Sequence, residues 1–250
     1  KAIRKAKVQI EQHARERFEA EQQEHQAKVA RRQAQRDVGK KPRGKEPEPP
    51  QSGPRDSDQV SLTDADSRIM PVSGGGFEQS YNAQAAVDTD TMLVIATHVS
   101  QAPNDKREVL PILDELGALP KPLGQVNALL ADTGYCSQSN VQHCQAHHIE
   151  PLLAMRRDSH HLPVLERFAP DAPAPESEDA VVKMAHRLKT AAGRALYGLR
   201  KQTVEPVFGI IKQAMGWRQM SMRGLEKADG EWSLVTLAWN VKRLHVLRAV

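Results

Sequence analysis

The stretch YNAQAAVDTDTMLVIATHVSQAPNDKREVLPILDELG, residues 81–117, decides the fold class. Tyr81, Ala83, Ala85 and Val87 recur at a period of two, which lines one face of a strand. Residues 92–100 (MLVIATHVS) are apolar and β-branched, the pattern of a buried strand. DTDT at 88–91 is turn chemistry, so the two runs predict a β-hairpin over 80–100. Pro103 and Asn104 then precede a helical pattern at 105–118, with Val109, Leu110, Ile112, Leu113 and Leu116 on its apolar side.

Working outward, VNALLA at 126–131 predicts a short apolar strand ended by Asp132 and Gly134. Residues 137–147 read as a helix and Ile149–Leu153 as another strand. Residues 157–179, broken by Pro163, Pro170, Pro173 and Pro175, read as an irregular insertion. Helices are predicted at 180–192, 196–215 and 228–248, the last with Leu234, Leu237, Val241, Leu244 and Arg248 near heptad spacing. Pro206 disfavours helical geometry at Glu205, so a start at Pro206 stands as the alternative for the middle helix. Upstream, residues 1–38 are rich in good helix formers and sparse in apolar ones, which predicts a polar, exposed, basic helix ended by Gly39. GKKPRGKEPEPPQSGPRDSD at 39–58 reads as a flexible linker. The globular part is expected over 59–250. Its element order predicts an α/β fold, a mixed sheet flanked by helices.

The chain has 250 residues and a net charge of +4. That charge is unevenly spread: residues 1–45 carry +8, residues 46–180 carry −13, and residues 181–250 carry +9. Basic ends suit a polyanion partner. The acidic middle suits either a solvated surface or carboxylates collected to hold cations. No apolar run approaches the roughly 20 residues of a membrane span, and the start lacks a signal-peptide pattern, so a cytoplasmic protein is expected. Two cysteines cannot make a disulfide framework. Cys136, His143, Cys144, His147 and His148 cluster, but their i,i+4 pairs point to different sides of the predicted helix, and exposed histidines beside a half-buried cysteine are expected in place of zinc. GGG at 74–76 lacks the lysine and helix of a phosphate-binding loop.

Three acidic positions stand out: Asp64 after a short β-prone run, Asp132 at the end of a buried strand, and Glu205 in VEPVFGIIK. Each alone reads as easily as a cap or a surface charge. They are about 70 residues apart in an α/β order, and side chains at strand ends project into the cleft above a sheet.

Four stretches carry a resemblance: SLTDADSRIM (61–70), GGFEQSYNAQAAVDTDTMLVIATHVSQAPNDK (75–106), LLADTGYCS (129–137) and YGLRKQTVEPVFGIIKQAMGWRQMSMRGLEKADGEWSLVTLAWNVKRL (197–244). The sequence resembles the DDE transposases of bacterial insertion sequences, which have an RNase H-like catalytic domain. The resemblance implies a metal-binding catalytic triad of Asp64, Asp132 and Glu205, with Asp66 competing for the first place. It implies Mg²⁺ or Mn²⁺ as cofactor, two ions in all. Such ions about 3.5–4 Å apart activate an attacking water or 3′-OH and stabilise the leaving oxygen of a phosphodiester. The family's Tyr-x2-Arg-x3-Glu-x6-Lys signature falls on Tyr197, Arg200, Glu205 and Lys212, except that four residues separate Arg200 from Glu205. Lys201 occupies the expected place. At about 100° per residue Tyr197, Lys201, Glu205 and Lys212 share one arc and Arg200 lies outside it, which favours Lys201 as the phosphate contact.

Tyr197, Arg200, Lys201, Lys212, Arg218 and Arg223 are the candidate DNA contacts, since Lys and Arg bind phosphates largely without base identity. Trp217 reads as core. Residues 1–45 read as either a DNA-binding arm or a solvated connecting helix. The partners implied are double-stranded DNA, both element ends and target, and a second copy in a homodimeric DNA complex, with no membrane and a nucleoid-associated place in the cytoplasm. Two rivals remain: a truncated, non-catalytic DNA-binding remnant, and an RNase H-like nuclease that cuts without joining.

Overall fold

The computed structural model describes residues 2–39, 41–42, 44–72, 74–155 and 170–248. They fall into two compact units, Lys1–Ile69 and Met70–Val250. Residues 157–169 of the expected irregular insertion lie outside the described residues.

In the first unit, helix α1 spans Ala2–Asp37 and Gly39 ends it at φ +73°. Residues 44–58, read above as a linker, run back along α1. Arg32 donates to Gly44 O at 3.0 Å, Arg55 pairs with Glu21 at 2.7 Å, and Arg17 donates to Gly53 O at 3.1 Å and pairs with Asp58. The hydrogen bond from Arg17 holds the Asp58 carboxyl below its ordinary range.

The division between the units falls inside strand β1 (Arg68–Pro71), which pairs with β2 (Phe77–Ser80). Strands β3 (Asn82–Val87) and β4 (Val94–Ser100) form the expected antiparallel hairpin, in register from Asn82↔Ser100 to Ala86↔Ala96, with a bulge between Ala86 and Val87. Asp88 builds its turn: the carboxylate accepts from Thr91 N–H at 2.8 Å, and the backbone N–H bonds to Leu93 O at 2.9 Å. Helix α2 (Val109–Gly117) follows a 3₁₀ turn at Asp105–Arg107 that is capped by Asn104. Strand β5 (Ala128–Ala131), helix α3 (Gln138–Ala146, capped by Ser137) and strand β6 (Glu150–Leu153) make one crossover unit, with β5 and β6 parallel. The α/β expectation holds. Among the described residues, however, the strands pair as three two-stranded sheets and not as one continuous mixed sheet.

The remaining helices are α4 (Ala180–Arg187), α5 (Ala191–Gln213) and α6 (Leu225–Arg248). The single helix expected over 180–192 is broken because Thr190 caps a new one, accepting from Gly193 N–H at 3.0 Å. Gly193 is required there, since a Cβ would lie 1.8 Å from the Arg187 carbonyl oxygen. A helix beginning at Pro206 is not what forms: α5 continues through Pro206. Proline costs that helix one N–H bond, and burial of Thr203, Val207 and Ile211 on one face outweighs the loss.

Both faces of the β3–β4 hairpin are packed. Ala83 and Ala85 join the cluster around Trp232 and Trp239 of α6, while Ala86 joins Val109, Ile112 and Leu113 of α2. Trp232 is fully buried, stacks with Phe208 at 5.6 Å and meets Trp217 in a tilted pair at 5.0 Å. Trp217 is partly buried and packs against this core cluster. Four side chains of α6 register it on the hairpin, among them Arg243, whose Nε donates to Thr91 O at 2.7 Å. Trp232 Nε1 donates to Gln84 O at 2.8 Å and Trp239 Nε1 to Met92 O at 2.9 Å, while Asn240 bonds Val94 N–H and C=O at 2.8 and 2.7 Å.

Candidate active site

Asp132 follows the last residue of β5 and caps the 3₁₀ turn Thr133–Tyr135, its Oδ1 accepting from Gly134 N–H at 2.8 Å. The turn at Asp105–Arg107 brings a second carboxylate to the same place. A Cβ on Gly134 would lie 3.0 Å from Asp132 Oδ1 and 3.1 Å from Asp105 Oδ2, so the bare glycine lets both acids stand beside it. Asp105 Oδ1 accepts from Asn82 Nδ2 at 3.0 Å and from Gln84 Nε2 at 2.8 Å. Tyr135 donates to Gln84 Oε1. Burial pushes the Tyr135 phenol well above its ordinary range, and the charges of Asp105 and Asp132 push it further, so it stays protonated.

Asp132 and Tyr135 line a cavity of about 140 Å³ with Glu108, Arg200, Val204 and the apolar side chains of β5 and α2. Glu108 is 3% exposed, and its Oε2 has no hydrogen-bond partner; His98 Nε2 stands 3.5 Å away. Burial raises the Glu108 carboxyl above its ordinary range, opposed by a hydrogen bond from Ser100 and by His98. Arg200 Nε is also buried without a hydrogen bond. The guanidinium lies 5.9 Å over the Tyr197 ring and 3.4 Å from Glu205 Oε1.

The structure therefore brings Asp132 and Arg200 to one cavity, and ties Glu205 to Arg200. Glu205 is itself 59% exposed at the side chain. The helical arc set Arg200 apart from Glu205, but the long guanidinium spans the difference. Lys201 is exposed. Lys212 lies 5.9 Å over the Phe208 ring, Arg218 donates to Gln213 at 2.8 Å, and Arg223 is exposed. Asp64 belongs to the first unit, where its N–H donates to Ser61 Oγ at 3.1 Å and its Oδ1 accepts from Asp66 N–H at 3.3 Å. Gln84, Asp105 and Glu108 went unread in the sequence. The signal is modest: Glu108 is an acid beside the buried apolar stripe Val109, Ile112, Leu113 and Leu116 of the helix it precedes.

The oxygen donors Asp132 and Asp105, with the orphaned Glu108 oxygen, suit a hard divalent cation by type. No group of three or more His, Cys, Asp or Glu is arranged to hold a metal among the described residues, which includes the cysteine–histidine cluster on α3. Cys144 is fully buried there, with its thiol pushed up to about 11. No helix among the described residues is long and apolar enough to cross a membrane.

The family model described as the transposase DDE domain matches residues 58–241. This chain belongs to that family, whose members are transposase-type enzymes acting on DNA and generally dependent on a divalent metal. No curated protein and no solved structure matches the chain.

Proposed function

We propose that this chain is the catalytic part of an insertion-sequence transposase, with residues 59–250 as an RNase H-like domain preceded by a basic helix and a linker. It cuts DNA at the element ends and joins the 3′-OH to target DNA. The observation that carries the reading is Asp132, at the end of a parallel strand and lining a cavity with Arg200, in a chain of the DDE family. Asp64, Asp132 and Glu205 are the residues proposed to hold Mg²⁺ or Mn²⁺. When bound, the metal supplies charge neutralisation and a water or hydroxyl activated at neutral pH.

Each neighbour has its own task. Gly134 and its N–H fix the Asp132 carboxylate, and the protonated Tyr135 ties that turn to Gln84. Arg200 carries positive charge to the cavity wall for a phosphate and orients Glu205. Lys201, Lys212, Arg218 and Arg223 are proposed to hold the DNA backbone by charge and Tyr197 by its hydroxyl, so binding should weaken steeply with salt. A second reading, a DNA-binding remnant without catalysis, is favoured by the absence of a three-acid group among the described residues.

Incubating the chain with Mg²⁺ or Mn²⁺, labelled element-end DNA and a target plasmid separates the readings. Cut and joined products support the transposase. Salt-sensitive binding without any cut supports the remnant. Cutting without joining supports a nuclease.

A further inference from the structure

His13, Arg17, Glu21 and His25 stand at every fourth position of α1 and form one ridge of that helix. Each is engaged by the chain that returns along it. His25 Nε2 lies 3.2 Å from Pro47 O, and Glu21 pairs with Arg55 at 2.7 Å. Arg17 donates to Gly53 O at 3.1 Å and pairs with Asp58. His13 Nε2 lies 2.9 Å from a guanidinium nitrogen of Arg68. A guanidinium only donates, so His13 Nε2 accepts. Burial, and then the Arg68 charge, lower the His13 pKa, which keeps the ring neutral for that role.

Two of these contacts bracket the segment that carries Asp64. Asp58 and Arg68 are its ends, and both are held by side chains four residues apart on α1. The other guanidinium nitrogen of Arg68 donates to the carbonyls of Ala65, Asp66 and Ser67 at 2.9, 3.0 and 3.1 Å. Ser67 is 5% exposed, and its hydroxyl donates to Asp64 O at 2.8 Å. Hydrogen bonds therefore run from His13 through Arg68 and Ser67 to the Asp64 backbone. Holding both ends of so short a segment removes most of its conformational freedom.

We infer that α1 positions the first catalytic carboxylate: His13 and Arg17 clamp the two ends of residues 58–68 and so set the place of Asp64. The inference rests on the reading of Asp64 as a metal-binding residue. His13, Arg17 and Arg68 are positioning residues, acting through the backbone that presents Asp64. The polar helix thereby has a task other than DNA binding, because its ridge holds the chain's own turn.

Two measurements on the full chain test the inference: cleavage of element-end DNA across a Mg²⁺ titration, and hydrogen–deuterium exchange without metal or DNA. His13→Leu removes the acceptor for Arg68, and Arg17→Met removes the pair with Asp58. Each should raise the half-saturating Mg²⁺ by about tenfold and lower the maximal rate by about tenfold to a hundredfold, the scale for a misplaced reacting group. Amides of residues 59–67 should exchange about tenfold faster, while those of α1 keep the parent's protection. Affinity for the DNA by gel shift should stay within about twofold. His13→Gln, whose Oε1 accepts from Arg68, and Arg17→Lys, which keeps the pair with Asp58, should recover rate and Mg²⁺ requirement to within about threefold. Leucine and methionine variants that cut at the parent's rate and Mg²⁺ requirement overturn the inference and leave the catalytic reading standing. So does a loss confined to DNA affinity, which would mark α1 as a DNA-binding arm, or a slower reaction with unchanged exchange at 59–67. Failure of both conservative variants to recover activity overturns it as well. A parent chain that cuts at no Mg²⁺ or Mn²⁺ concentration overturns the catalytic reading, and the inference with it.

Discussion

The indole N–H of Trp217 donates to Glu231 Oε1 at 3.0 Å, which fastens the turn after α5 to the inner side of α6. The same carboxylate accepts from Ser221 N–H and Oγ at 2.9 Å and from Met222 N–H at 2.8 Å. Burial alone would raise the Glu231 carboxyl, but these bonds more than offset it and hold it below its ordinary range. An acid with a lowered folded pKa adds stability above its ordinary pKa and loses it as pH falls through the folded value. Glu231→Gln should therefore cost about 1–3 kcal/mol at neutral pH, read by urea unfolding, with the loss shrinking below about pH 4.

Glu108 has the opposite sign. Its folded carboxyl is raised, so its stabilising share is complete in acid and is lost as pH rises through the folded value. Glu108→Gln removes a buried charge while keeping the shape. Unfolding free energy followed from about pH 4 to pH 8 should fall less steeply in the variant than in the parent chain.

Trp232 sits at the junction of α5, α6 and the hairpin. Trp232→Ala should destabilise by about 3–5 kcal/mol, the range for emptying a large aromatic site. Trp232→Phe should cost less but still strand the Gln84 carbonyl. Urea midpoints order the three proteins.

Gly134 carries no side chain where two carboxylates need room. Gly134→Ala should push Asp132 or Asp105 aside by a few tenths of an ångström, because neither can be approached to about 3 Å by a Cβ. We expect DNA strand cleavage to fall by about a hundredfold, the scale for small misplacements of reacting groups, with the unfolding midpoint little changed.

How much of this was legible follows from how local each feature is. The hairpin was readable because its strands carry period-two patterning and its DTDT turn is self-contained; Asp88 makes the turn bonds by itself. The bulge at Ala86–Val87 leaves no such mark. The start of α5 is hidden in the sequence because Thr190, a short side chain with no apolar periodicity before it, sets the boundary, and only tertiary burial of one face carries the helix past Pro206. Asp132 stood out because a strand ends there. Its neighbours Asp105, Gln84 and Glu108 did not, since they meet it only through tertiary packing of the hairpin, a 3₁₀ turn and α2. The heptad row on α6 was visible in the sequence, but its exposure was not, because a tryptophan row on the other side of the helix takes the core.

The Asp132 carboxylate is proposed to serve phosphodiester chemistry and not merely the turn it caps. Asp132→Asn keeps the acceptor for Gly134 N–H and removes the charge. Mg²⁺-dependent cleavage of element-end DNA should fall by about a thousandfold or more, the scale of losing electrostatic stabilisation at a reacting centre, while gel-shift affinity for the same DNA stays within about threefold, because phosphate contacts carry the binding. Cleavage by Asp132→Asn at the parent rate would contradict the account.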